Sequence, residues 1–177
     1  MSTLNKSVTN SQISATEPDW SREELRAWWD PSRQFLKSIR EYQKWKKRGG
    51  ILGRFFSAYN VLQYRFWTAV TGTDIPINCD LGGGLLLTHP IGVVIHSDAS
   101  VGPNCLILQQ VTIVKDVKVG GHVDIGAGAK IIRPVTIGNH AKIGANAVVL
   151  NDIPPGATAV GIPAKIINSP ESGDNTN

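Results

Sequence analysis

The chain has 177 residues, a formal net charge of +4, 41% hydrophobic and 18% charged residues, enough for one domain or a repeat domain with a smaller attachment. No run of about 18 uncharged apolar residues suggests a membrane span, and Met1 to Asn5 begins no apolar signal segment. Cys79 and Cys105, the two cysteines, form neither a CxxC pair nor a disulfide framework, so a cytoplasmic protein is expected.

Aromatic residues and positive charge are confined to one end. The 5 Trp, 3 Tyr and 4 Phe all lie at or before Trp67. Residues 1–72 carry 12 Lys and Arg against 6 Asp and Glu, and residues 73–177 carry 6 against 8. Residues 1–20, rich in Ser, Thr and Asn, are expected to lack structure until something pins them. An α-helical region is expected over 21–72. Ser21 and Glu24 form the pattern of a capping box. Asp30-Pro31 starts a further helix, which runs to Arg48 and stops at Gly49-Gly50. A third helix spans 51–71, with Phe55, Tyr59, Leu62, Phe66 and Val70 spaced by three and four. That stripe reads as packing against another domain or subunit rather than as a membrane contact. The run Lys44-Trp45-Lys46-Lys47-Arg48 reads as a solvated helix end whose cations suit the helix dipole, and no nucleic-acid partner is expected.

From Ile95 the chain falls into sixes. Ten consecutive hexads begin with Ile or Val, from Ile95 through Val101 and Ile107 to Val149, and the fifth position is always small or aliphatic. Gly102, Gly120, Gly126, Gly138 and Gly144 fill the second position. An α-helix cannot satisfy a period of six, and Gly with β-branched residues opposes one. Such a period means a parallel β-helix with the first-position residues buried in a stacked prism, here over 73–167, with an unstructured tail over 168–177. Cys105 falls in a fifth-position slot as a small core residue. Read backwards, Ile75, Leu81, Leu87 and Val93 continue the period two residues out of phase, which places a slip within Val93-Val94-Ile95. His89 lies in the apolar stretch just before it.

The hexads, the terminal IPPGATAVGIPAKII and the segment from Asp74 to Thr112 resemble hexapeptide-repeat acyltransferases of the serine acetyltransferase group, over about residues 70–168. The resemblance implies a left-handed parallel β-helix with a short α-helical N-terminal domain. It also implies homotrimers, either single or paired through their N-terminal helices, and transfer of acetyl from acetyl-CoA to a hydroxyl, with no metal expected. By resemblance His89, in LLLTHPIGVVI, is the catalytic base and Asp74, fifteen residues earlier, its partner. Thr88 would face the acceptor. Acetyl-CoA would lie between subunits along Gly126, Ala127, Gly128, Ala141, Gly144 and Ala145, with Lys142 and Lys165 near the nucleotide phosphates. The chemistry agrees. A hydroxyl attacking a thioester needs a base, and histidine suits that work near neutral pH. A carboxylate on the other ring nitrogen would fix its tautomer.

Two departures bear on the acceptor. The family carries a Gly-rich loop ending in an Arg-His pair where this chain runs from Ile113 to Val119 in unbroken register. The family's acid before the catalytic histidine is here Thr88. The acceptor is therefore either serine or a hydroxyl of a sugar or glycan. Two rival readings stand beside this one. His122 and His140, eighteen residues apart in one hexad position, should stack on one face, the arrangement a metal-dependent hydratase of the carbonic-anhydrase type would use. A non-catalytic β-helix scaffold is the other.

Overall fold

A computed structural model describes residues 13–169. After a 3-10 turn at Trp20–Glu23 come two helices, α1 (Pro31–Arg48) and α2 (Gly50–Thr71). Fourteen short strands follow: β1 (Asp80–Leu81), β2 (Leu86–Leu87), β3 (Val94–Ile95), β4 (Ser100–Val101), β5 (Leu106–Ile107), β6 (Thr112–Ile113), β7 (Lys118–Val119), β8 (Asp124–Ile125), β9 (Lys130–Ile131), β10 (Thr136–Ile137), β11 (Lys142–Ile143), β12 (Val148–Val149), β13 (Thr158–Val160) and β14 (Lys165–Asn168). They stack into three sheets, β1-β4-β7-β10, β14-β13-β11-β8-β5-β2 and β12-β9-β6-β3, every pair parallel except β13 with β14. This is a left-handed parallel β-helix of about four turns.

The hexad pattern explains the prism. All ten first-position residues from Ile95 to Val149 are buried, as are the fifth-position residues from Ala99 to Ile153, Cys105 among them. The second-position glycines serve the stacking of coils. A Cβ on Gly102 would lie 2.6 Å from the backbone of Gly120, and one on Gly126 would lie 2.6 Å from the nitrogen of Ala145. Among the described residues, no helix is long and apolar enough to cross a membrane.

The slip lies earlier than the hexads suggest. Asp80 pairs with Ser100 and Leu86 with Leu106, twenty residues on, whereas Val94 pairs with Thr112 and Ser100 with Lys118, eighteen on. Val93 therefore sits two residues before a strand end, as Leu85 and Ala99 do. The two extra residues fall between Leu87 and Val93. Both Val93 and Ile95 are buried, so hydrophobicity alone could not tell which of them began a hexad.

The N-terminal region departs from expectation in two places. Asp19, rather than Ser21, caps the first turn and accepts the Ser21 N–H. Glu24 makes no capping box, and it is Glu23 that enters the structure, binding Arg40 at 2.8 Å and the Leu85 N–H at 3.0 Å. Residues 13–19 are ordered. The Asn104 amide donates to the carbonyls of Ser14 and Glu17 at 2.8 and 2.7 Å and accepts from the Asp19 N–H. Side-chain pairing with a corner of the prism thus pins a segment whose own composition favours disorder; residues 1–12 and the tail from 170 lie outside the described residues. On α2 the residues buried within the chain are Gly53, Asn60, Trp67 and Thr71. Phe55, Tyr59, Leu62, Phe66 and Val70 are all exposed in the single chain.

Candidate active site

The corners of the prism show why His89 is unusual. An ordinary corner carries one residue in the left-handed backbone region, immediately before the buried fifth-position residue: Asn104 before Cys105, Gln110 before Val111, His122 before Val123, His140 before Ala141. Gly92, before Val93, fills that slot in the lengthened corner. His89 is an additional left-handed residue, with φ of 54°. Asn, Asp and His tolerate this region better than most side chains. That tolerance accounts for His122 and His140 as corner residues. It does not by itself account for a histidine outside the regular slot.

His89 opens onto a pocket of about 520 Å³ lined by Thr88, His89, Pro90 and Ile91 from the corner, Leu85 to Leu87 before it, and Val70 and Thr71 from the end of α2. The remaining wall comes from Arg26, Asp30, Pro31, Ser32 and Arg33 at the start of α1. Three contacts hold this wall in place. Ser32 donates to the Leu87 carbonyl at 2.5 Å. Arg40 donates to the carbonyls of Leu81 and Gly82. The Gly92 N–H reaches the Gly72 carbonyl at the end of α2.

Asp30 precedes α1, yet its side chain makes no capping bond. Its Oδ2 instead accepts from Arg26 Nε at 3.2 Å and from Arg33 at 3.3 Å. Burial pushes the carboxyl upward, but the hydrogen bonds from Arg26 and Arg33 outweigh it and hold the pKa below its ordinary value. This cluster lay unnoticed in the sequence, where residues 21–72 read only as a helical attachment. The available signal was the pair of arginines flanking an Asp-Pro helix start, although Arg26 reaches Asp30 from the non-helical segment before α1.

The residues expected at the site are partly brought together. Asp74 bridges to Val94, donating its N–H to the Val93 carbonyl at 2.8 Å and accepting from Ile95 at 3.0 Å, at the far end of the His89 corner. Both Asp74 and His89 are exposed, and no hydrogen bond joins their side chains in the single chain. Gly126, Ala127, Gly128, Gly144 and Ala145 lie on the same edge of the prism as His89. The edge is continuous through Gln110 N–H to Ile91, Gly128 N–H to Gln109 and Asn146 N–H to Ala127. Among the described residues, the N–H groups of Ala127 and Ala145 have no hydrogen-bond partner. Ala141 differs, because its side chain is fully buried and its N–H and carbonyl bond to Gly138 and Asp124. It offers nothing to a groove. Lys142 and Lys165 are exposed on one sheet, on β11 and β14 with β13 between them.

His122 and His140 do stack, on a different edge, with Nδ1 atoms 2.8 Å apart. Among the described residues, no group of three His, Cys, Asp or Glu side chains that could hold a metal ion is found.

The lengthened corner, the prism and the helical wall define a hexapeptide-repeat protein with a pocket beside an exposed histidine. Solved serine acetyltransferases are similar to it. The soybean apoenzyme is 32% identical over 77% of this chain and 57% of its own, with a TM-score of 0.64. The Neisseria gonorrhoeae enzyme in complex with serine is 32% identical over 79% and 58%, at 0.65. A serine acetyltransferase complexed with CoA is 31% identical over 78% and 57%, also at 0.65. This chain thus spans less than two thirds of the length of those structures. No protein-family model and no curated protein matches it.

Proposed function

We propose that this protein is an acetyl-CoA-dependent O-acetyltransferase whose general base is His89. The observation that carries the reading is the position of His89: an extra residue in the one lengthened corner, facing a pocket, on the edge that presents the free N–H groups of Ala127 and Ala145. Similarity to serine acetyltransferases, one with CoA bound, supports the choice of donor. His89 takes the acceptor's hydroxyl proton as the oxygen attacks the thioester carbonyl. The C–S bond then breaks, and the imidazolium returns that proton to the departing thiolate of coenzyme A. Asp74 orients the ring and stabilises the imidazolium, once the two side chains close across the corner.

Coenzyme A lies along the Ala127–Ala145 edge, where unpaired backbone donors suit the amide-bearing pantetheine arm, and Lys142 and Lys165 meet its phosphates. The groove is completed by a neighbouring subunit of a homotrimer, and a cytoplasmic setting suits a reaction that draws on acetyl-CoA. The acceptor is serine or a sugar hydroxyl. The test measures free-thiol release from acetyl-CoA with serine, homoserine and sugar acceptors, for the wild type and for His89→Asn, a substitution that keeps a residue tolerant of positive φ. Acceptor-dependent release that His89→Asn abolishes supports the reading. Equal release from both proteins, or none with any acceptor, sinks it.

A further inference from the structure

The pocket beside His89 has a charge balance that an amino acid does not fit. Its lining contains two guanidiniums, Arg26 and Arg33, against a single carboxylate, Asp30, and the neutral Thr88 flanks the base. Asp30 Oδ2 already accepts from both arginines. The Arg33 guanidinium is largely buried and is also held by the Arg22 carbonyl at 3.0 Å. Arg26 is different: three quarters of its side chain is exposed, and its guanidinium donates to Asp30 only through Nε, leaving both terminal nitrogens open. An ammonium group in this pocket would meet surplus positive charge and no free acid. A carboxylate would find two parallel N–H donors on Arg26, the geometry guanidinium offers best. The first turn of α1, at Pro31 to Arg33, adds the positive end of a helix dipole to the same wall.

We propose that the acceptor is a hydroxyl compound bearing a carboxylate and no ammonium group, and that Arg26 selects it. The class comprises small hydroxy acids and uronic acids, free or within a glycan. A volume of about 520 Å³ accommodates either, since small-molecule sites run from about 300 to 1,000 Å³. This inference rests on the acetyl transfer proposed at His89.

Two matched pairs test it: glycerate against serine, and glucuronate against glucose, each assayed by thiol release from acetyl-CoA. In at least one pair the member with a carboxylate and no ammonium group is expected to lead by about 10- to 100-fold in kcat/KM, the scale of one interaction with a charged group: the carboxylate gained in glucuronate, the ammonium avoided in glycerate. Arg26→Gln erases that lead, through a rise in KM rather than a fall in kcat, and Arg26→Lys keeps part of it. Equilibrium binding of glycerate and glucuronate to the wild type and to Arg26→Gln gives a readout independent of turnover. Serine and glucose serving as well as their acidic counterparts would overturn the inference, as would Arg26→Gln lowering all four acceptors in proportion. If no acceptor releases thiol, yet an acid binds and Arg26→Gln weakens it, acetyl transfer falls while the carboxylate site stands.

Discussion

From Ile95 to Val149 each coil takes eighteen residues, every sixth residue is buried, and glycines set how closely coils stack. The first coil takes twenty, and its extra two residues lie in a corner walled by α1 and the end of α2. The upper coils show what a repeat does when it only has to stack. The first shows where it can be interrupted, since the strands around the corner keep their parallel partners while the corner alone lengthens. The interruption adds what a regular corner lacks, a second left-handed residue, His89, besides the Gly92 that fills the ordinary slot.

The largest test of that contrast is the proposed base. His89→Asn is expected to lower acetyl transfer by about 10²- to 10⁴-fold without moving the melting temperature, because the side chain is exposed. An equal loss of stability would place His89 with the structural corners instead. Next in size comes the prism core. Ile131→Ala removes a fully buried side chain and is expected to cost about 2–5 kcal/mol in denaturant unfolding. Gly126→Ala is expected to cost about 1–3 kcal/mol, because its Cβ would press on the backbone of the adjacent coil. A stable Gly126→Ala protein with weakened CoA binding would shift that glycine from stacking to ligand contact.

The smallest effect concerns the paired histidines. Burial, with His140, Arg22 and Lys142 as further positive neighbours, lowers the His122 pKa from its ordinary 6.5 despite Asp124. The folded chain then binds fewer protons than the unfolded one just below that value. His122 therefore contributes stability above pH 6.5 that is lost as pH falls through the folded pKa. His122→Gln is expected to flatten the acid side of a melting-temperature profile. An unchanged slope would assign the acid sensitivity to another group.

Much of this architecture was legible because it repeats. Ten agreeing hexads leave one fold, and the edge shared by His89 and Gly126 to Ala145 follows from the coil spacing. Helix ends at Asp30-Pro31 and Gly49-Gly50 were equally readable, since Pro and Gly act through their own backbone preferences. The misreadings share a different cause. Val93 and Ile95 are interchangeable in hydrophobicity, so only strand pairing could place the slip. The Ser21–Glu24 box was consistent locally, but Arg40 and Leu85 drew Glu23 into tertiary contact and left Asp19 to cap the turn.

What the amino-acid order determined alone is the prism, because a period of six with β-branched residues and glycines satisfies burial and backbone bonding in one way. What tertiary structure alone decided is the site. Arg26, Asp30 and Arg33 lie more than fifty residues before His89, and nothing in their own segment says what they face. They meet His89 because Ser32 bonds to Leu87, Arg40 ties α1 to the first coil, and Gly92 joins the lengthened corner to the end of α2. Those bonds link groups distant in the chain, and local propensity carries no record of them.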